Sequence, residues 1–169
     1  MTAPMDALLA DTSTECSVEE AYARCERLAK GHYENFTIGS WFLPKNAKRH
    51  LYAIYAFCRS VDDLGDEFAG DRLEALDLWE KEIDRCYDGI PRHPYLVALQ
   101  DTIRAFDIPR EPLARLVHAN RVDQTTTRHP TYEDLDHYCQ HSANPVGHLV
   151  LYACGYRDAE RQRLSDFTC

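Results

Sequence analysis

The chain has 169 residues, enough for one well-buried domain and short for two. Its 28 Asp and Glu against 19 Lys and Arg leave a net charge of −9, which disfavours nucleic acid or an anionic membrane held by bulk electrostatics. Seven cysteines without a C-x-x-C pair read as reduced thiols rather than a disulfide framework or zinc site, and so point to the cytosol.

Residues 1–16 read as a loose leader, with no basic n-region and no apolar run long enough for a signal peptide or a spanning helix. The expected location is cytoplasmic, with contact at the inner face of the membrane open to a chain whose ligand is a lipid. Residues 17–169 read as a single helical domain. Ser17, with Glu20 three residues on, is a capping box that opens a helix to about Lys30, and Gly31 ends it. His32 to Pro44 is aromatic-rich with no clear period. Pro44 suits the turn into a central helix that runs to about Glu67, with Gly65 expected to loosen its last turn.

Asp71 to Asp88 has the pattern of an amphipathic helix with Leu73, Leu76, Trp79, Ile83 and Cys86 or Tyr87 inward. Gly89, Pro91 and Pro94 mark a loop. Two further helices, Tyr95 to Phe106 and Glu111 to about Gln124, are split by the turn at Pro109 and Pro112. Thr131 with Asp134 caps a helix that reaches about Cys154 and is kinked at Asn144-Pro145. Gly155 closes it and Asp158 caps the last, whose pattern runs to Cys169 and stops without Gly, Pro or a polar tail. That stop reads as an interrupted helix of a longer protein. No stretch alternates with period two, so the expected fold class is all-α.

Chemistry concentrates on the central helix. Leu51, Ile54, Cys58 and Val61 form an apolar stripe, while Tyr55, Arg59, Asp62 and Asp66 step by four, three and four along another face. Asp62 and Asp66 stand one turn apart, so their carboxylates project together and can share a hard cation such as Mg²⁺. A solvated acidic helix end is the bland alternative for a lone D-x-x-x-D. Against it stand Arg59, able to bind a phosphate or neutralise the cluster, and Tyr55, which extends the face with an aromatic ring. Asp62, Asp63, Asp66 and Glu67 also crowd a helix C-terminus, where the macrodipole disfavours negative charge.

A second constellation is Tyr138 to Gly147, where the Asn144-Pro145 break frees backbone carbonyls and makes room for a ligand; a kink required by packing is the alternative. His137 and His141 form an i, i+4 pair without a third clear ligand, so zinc is not expected. Some of the ten Tyr and six Phe rings would line a pocket favourable to a carbocation, if they are not simply core. The glycine-rich loops of ATP and dinucleotide sites and the G-x-S-x-G elbow are absent from the sequence.

The block AIYAFCRSVDDLGD resembles the Y-A-x-x-R-x-x-D-D-x-x-D signature of the squalene and phytoene synthase family, and the resemblance runs from about His32 to Cys169. It implies the helical bundle of the isoprenoid (terpenoid) synthase fold and a prenyl diphosphate lipid as substrate. By the same resemblance Asp62 and Asp66 bind Mg²⁺ and diphosphate, with Tyr55 beside them facing the substrate. Arg59 would contact the diphosphate, and His32 and Asn35 the diphosphate or prenyl chain, Asn35 standing where a serine is usual. Phe36, Tyr55, Tyr138, Ser142, Asn144 and Gly147 would line the prenyl pocket.

The HYENF, LP and SANPVG segments are similar to a bacterial hopanoid-pathway branch, which implies ionisation of presqualene diphosphate to hydroxysqualene or squalene. Condensation of two prenyl diphosphates, as in presqualene diphosphate or phytoene synthases, is the alternative within the family. NADPH is not expected, for want of a fingerprint. A helical interaction module with an acidic face is the alternative outside it. The family also implies a second D-x-x-x-D motif on a helix downstream of Cys169, so the 169 residues alone are expected to be inactive.

Overall fold

Ser17 opens the first helix as its spacing predicts: Glu20 N–H donates to Ser17 Oγ at 3.3 Å, and Ser17 N–H donates back to the Glu20 carboxylate at 3.1 Å. The computed structural model describes residues 16–31 and 45–169, so all of the leader but Cys16 lies outside the described residues. Among these residues the secondary structure is helical throughout. In chain order the helices are α1 (Val18–Gly31), α2 (Lys45–Asp66), α3 (Arg72–Asp88), α4 (Pro94–Phe106), α5 (Arg110–Asp123), α6 (Tyr132–Ser142), α7 (Asn144–Ala153) and α8 (Ala159–Asp166).

α2 lies at the centre, between two clusters of buried residues. Leu51, Ile54, Phe57, Val61 and Leu64 pack into the main core with Leu76, Trp79 and Ile83 of α3, Leu96 and Leu99 of α4, Leu113 and Leu116 of α5 and Leu149 of α7. Each such side chain taken from water contributes about 1.5–3 kcal/mol, so this cluster supplies most of the driving force. On the other side Ala53 and Ala56 meet Ala21, Cys25 and Ala29 of α1 and Ala98 of α4, small residues that let the three helices lie close. Tyr55 packs against that second cluster.

Two buried polar hubs lock the elements. Tyr22 donates its hydroxyl proton to Asp101 Oδ2 at 2.8 Å and stands 2.9 Å from His50 Nδ1 and 3.1 Å from Thr102 Oγ1, joining α1, α2 and α4. Buried Glu82 accepts from the Arg92 backbone N–H at 2.9 Å and from its guanidinium at 2.8 and 3.1 Å, fixing the loop between α3 and α4.

Four expectations are corrected. Leu73 is 46% exposed rather than inward: it sits in the first turn of α3, ahead of the stripe that begins at Ala75 and Leu76. The expected kinked helix from Thr131 to Cys154 is two helices parted at Ala143, because Pro145 has no N–H to continue the ladder and instead opens α7 in its first turn. The last helix ends at Asp166 rather than running to Cys169; Thr168 and Cys169 N–H both turn back to Ser165 O. Gly65 is buried in helical backbone rather than loosening it, for a reason that lies in the neighbouring helix.

Candidate functional site

The acidic end of α2 is met by α5. Asn120 continues the buried stripe of that helix, after Leu113, Leu116 and Val117 at helical spacing. Its Nδ2 donates to Asp62 Oδ1 at 3.4 Å and to Leu116 O at 3.2 Å. The approach depends on Gly65, where a Cβ would stand 2.2 Å from Asn120 Oδ1 and 3.1 Å from its Cγ. Gln124 Nε2 then donates to Gly65 O at 3.0 Å and Arg72 Nη2 to Asp66 O at 2.7 Å. Two carbonyls that α2 leaves without intrahelical partners are thereby satisfied, one of them by a cation that offsets part of the charge conflict with the macrodipole.

Asp62 and Asp66 are both accessible to solvent. The protein crowded around Asp62 nevertheless pushes its carboxyl above the ordinary range; the Asp66 charge adds to the effect, while the Asn120 hydrogen bond and the Arg59 charge work against it. A cation beside the pair would reverse that balance. The donor set is hard oxygen on one rigid helix, which fits Mg²⁺, an ion that takes one or two carboxylates and fills the rest of its shell with water and phosphate. No closed cage of three His, Cys, Asp or Glu ligands exists among the described residues, and Mg²⁺ does not need one.

Arg59 lies on the neighbouring stripe. Its Nη2 pairs with Asp63 Oδ1 at 2.6 Å and Glu67 Oε1 at 2.9 Å rather than with Asp62, and it stays charged because those two carboxylates outweigh partial burial. Its Nε is buried with no hydrogen-bond partner among the described residues, leaving a donor for an incoming acceptor.

α6 closes the other side. Tyr138 donates its hydroxyl to Asp123 Oδ2 at 2.9 Å, and burial together with that carboxylate pushes the phenol up to about 12. Asp62 adds to this rise and the Ser142 hydroxyl opposes it, so Asp62, Asp123, Tyr138 and Ser142 share one neighbourhood. Asn144, at the break, is buried with its Oδ1 lacking a hydrogen-bond partner among the described residues. Gly147 faces α8, where a Cβ would meet Ser165 Oγ at 2.3 Å and Cys169 Sγ at 2.7 Å. Tyr55 is turned toward the α1 side. His32, Asn35 and Phe36 lie outside the described residues.

Sequence reasoning missed Asn120, Asp123 and Gln124. The signal available was a polar Asn at a core position of α5, in register with Leu113 and Leu116. It also overlooked that Asp84 and Asp88 repeat the D-x-x-x-D spacing. That pair is no second half of the site. Asp84 is engaged by Arg110 Nε at 2.6 Å, at the opposite end of α5 from Asn120.

The chain matches the family model described as squalene/phytoene synthase over residues 29–168. It is 35% identical to a 15-cis-phytoene synthase of Synechocystis sp., over 78% of this chain and 40% of that protein. To the chloroplastic phytoene synthase of Daucus carota it is 31% identical, over 82% of this chain and 35% of that protein. Among solved structures it superposes on the squalene synthase HpnC from Alicyclobacillus acidocaldarius with a TM-score of 0.86 and 51% identity, over 90% of this chain and 58% of that one. A dehydrosqualene synthase crystallised with a ligand gives a TM-score of 0.77 and 27% identity, over 88% and 54%. The helices thus have the isoprenoid synthase fold, and the chain spans between about a third and three fifths of the length of these relatives.

Proposed function

The chain belongs to the squalene/phytoene synthase family, and from that premise we propose that residues 17–169 form one incomplete domain of a head-to-head prenyl synthase, the part that carries its first aspartate-rich motif. The observation that carries this reading is the Asp62 and Asp66 pair, with Asp62 held by Asn120 and its charge felt by Tyr138, which is itself bonded to Asp123. Packing alone gives no reason to crowd so much negative charge in one place.

Asp62 and Asp66 would hold Mg²⁺, which supplies Lewis acidity and a template for the departing diphosphate. Arg59 offers a diphosphate oxygen its guanidinium, whose Nε–H has no hydrogen-bond partner among the described residues, with His32 and Asn35 as further contacts. Tyr138, buried and hydrogen-bonded to Asp123, presents a neutral hydroxyl beside the acidic face. The rings of Tyr55 and Phe36 favour a carbocation through their quadrupoles, and Ser142 and Asn144 belong to a wall that keeps water from quenching it early, with Gly147 letting α8 pack behind it.

The substrate is presqualene diphosphate and the product hydroxysqualene or squalene, a choice supported by the 51% identity to a squalene synthase. The hydroxylated product forms by capture of water in place of the diphosphate and needs no NADPH, whereas squalene would require a hydride donor. A second reading, condensation of two prenyl diphosphates, is favoured by the relatives named phytoene synthases. The protein works in the cytoplasm, meeting its lipid substrate at the inner face of the membrane; among the described residues no helix is long and apolar enough to cross one. The chain spans only part of its relatives' length, and since the family implies an opposing D-x-x-x-D motif the 169 residues by themselves would be inactive.

The test is product analysis. A chain extended to the length of its relatives is incubated with Mg²⁺ and either farnesyl diphosphate or presqualene diphosphate, and the lipid is identified. Failure to consume presqualene diphosphate removes the preferred substrate. Calorimetry of Mg²⁺ with inorganic diphosphate on wild type, Asp62→Asn and Asp66→Asn tests the site itself. Equal binding by all three would leave a helical interaction module.

A further inference from the structure

The pair His137 and His141 lacked a third ligand in the sequence, and the fold brings one near. α5 sets His118 against His141 with ring centres 5.3 Å apart, while His137 lies 4.9 Å from His141 along α6. All three line a cavity of about 380 Å³ between α5, α6 and the connection that joins them. We propose that His118, His137 and His141 form a binding site for a divalent transition ion of the zinc type, distinct from the Asp62 and Asp66 face.

Three observations carry the assignment. Two imidazoles on one tetrahedral ion with a Zn–N bond of about 2.1 Å have ring centres roughly 5 Å apart, and His141 has His118 and His137 on either hand at about that range, so small ring movements would suffice to gather the three. His141 Nδ1 stands 2.9 Å from His137 O; since a carbonyl only accepts, the Nδ1 carries the proton and the Nε2 lone pair is left for a ligand. A backbone carbonyl orienting a ring in this way is the usual support of a metal-bearing histidine. His118 and His137 are exposed, so their rings can turn between staggered wells. That rotation is needed, because no three such groups converge as the side chains stand.

Imidazole nitrogen selects zinc, nickel or cobalt over Mg²⁺, so the two sites would not compete for the same ion. In the same cavity Asp134 favours a cation and Arg128 opposes one, within a chain of net charge −9. The structural consequence lies in α6, which has no buried residue and so little packing to hold it. An ion shared with His118 would tie α6 to α5 beside Tyr138, which lines the same cavity.

The experiment is calorimetric titration of ZnCl2 into the 169-residue chain in excess MgCl2, paired with the visible absorption of Co²⁺ as a probe of tetrahedral nitrogen ligation. One ion per chain is expected, with His118→Gln and His141→Gln each weakening binding about tenfold or more. His148→Gln, outside the cavity, and the Asp62→Asn, Asp66→Asn double variant should bind as wild type, which separates this site from the acidic face. Absence of Zn²⁺ binding, or equal binding by His118→Gln and His141→Gln, would overturn it. Loss with His141→Gln alone would overturn the part given to His118. Unchanged helical circular dichroism in each variant ensures that a loss is read as a lost ligand.

Discussion

Gly65 and Asn120 occupy the same space in turn: the atom that a side chain on Gly65 would need, 2.2 Å from Asn120 Oδ1, is the one whose absence lets Asn120 reach Asp62. The room that the Asn120 side chain takes to reach Asp62 is therefore left by the missing methyl group of Gly65.

Gly65→Ala should separate stability from binding. The helix gains about 1 kcal/mol of propensity and loses roughly 1–3 kcal/mol to overpacking, so the net change in stability is expected to be no more than about 2 kcal/mol. Displacing Asn120 frees Asp62, and Mg²⁺-dependent diphosphate binding should weaken by about 10–100-fold, as for loss of a supporting partner. Asn120→Ala should reproduce the binding loss. Denaturant unfolding and calorimetry read the two effects, and unaltered binding in both variants would show that Asn120 does not position Asp62.

Asp62 predicts an unusual pH dependence. Its folded-state carboxyl titrates above 3.8, so the folded protein holds that proton more tightly than the unfolded chain. The group favours folding below 3.8 and works against it as pH rises through the raised value. Asp62→Asn should therefore unfold at higher denaturant than wild type at neutral pH, with the difference shrinking in acid. Mg²⁺ should stabilise wild type and leave the variant unchanged. A variant less stable than wild type at neutral pH would contradict the direction.

The Glu82 hub should be sensitive to its partner. Arg92→Ala leaves a buried carboxylate with Arg85 Nε at 3.3 Å as its remaining ion pair, and a loss of about 3 kcal/mol is expected. The site on α2 does not touch this loop, so diphosphate binding by the folded variant should be unaltered. Urea unfolding at matched slope provides the number.

Tyr22 and His50 supply a second pH effect of opposite sign. Burial, with the Arg49 charge adding to it, holds His50 below its ordinary 6.5. A histidine lowered on folding contributes stability above 6.5 that is lost as pH falls through the folded value. Tyr22→Phe should cost about 1–3 kcal/mol, since Thr102, Asp101 and His50 lose a common partner. The His50 ring resonance, followed by NMR, should titrate below 6.5; a midpoint at or above that value would rule out the buried neutral imidazole.

Most of the helices were legible in the sequence because their signals are local. The Ser17 and Glu20 box, the Thr131 and Asp134 box, the Asp158 cap and the periodic stripes all lie within a turn or two of what they specify. The break at Asn144-Pro145 was legible too, though its depth was not, since whether Pro145 bends a helix or ends it depends on what surrounds it. Asp62 and Asp66 were found for the same local reason, as i and i+4 on one helix. Leu73 was misplaced because a stripe shows periodicity without showing where the first buried turn begins.

What the sequence by itself determined is therefore the set of helices and the acidic pair on the central one, both products of spacing within a single segment. The tertiary structure decided the rest. It chose Asp63 and Glu67 over Asp62 as partners of Arg59, set Asn120 against Asp62, joined Tyr138 to Asp123 and brought His118 to His141. Apart from Arg59's choice at the end of α2, these pairings cross between helices or span a loop. Spacing along the chain does not encode them; they follow from how the helices pack, and beside Asp62 the absence of a Cβ on Gly65 leaves the space that the Asn120 side chain fills.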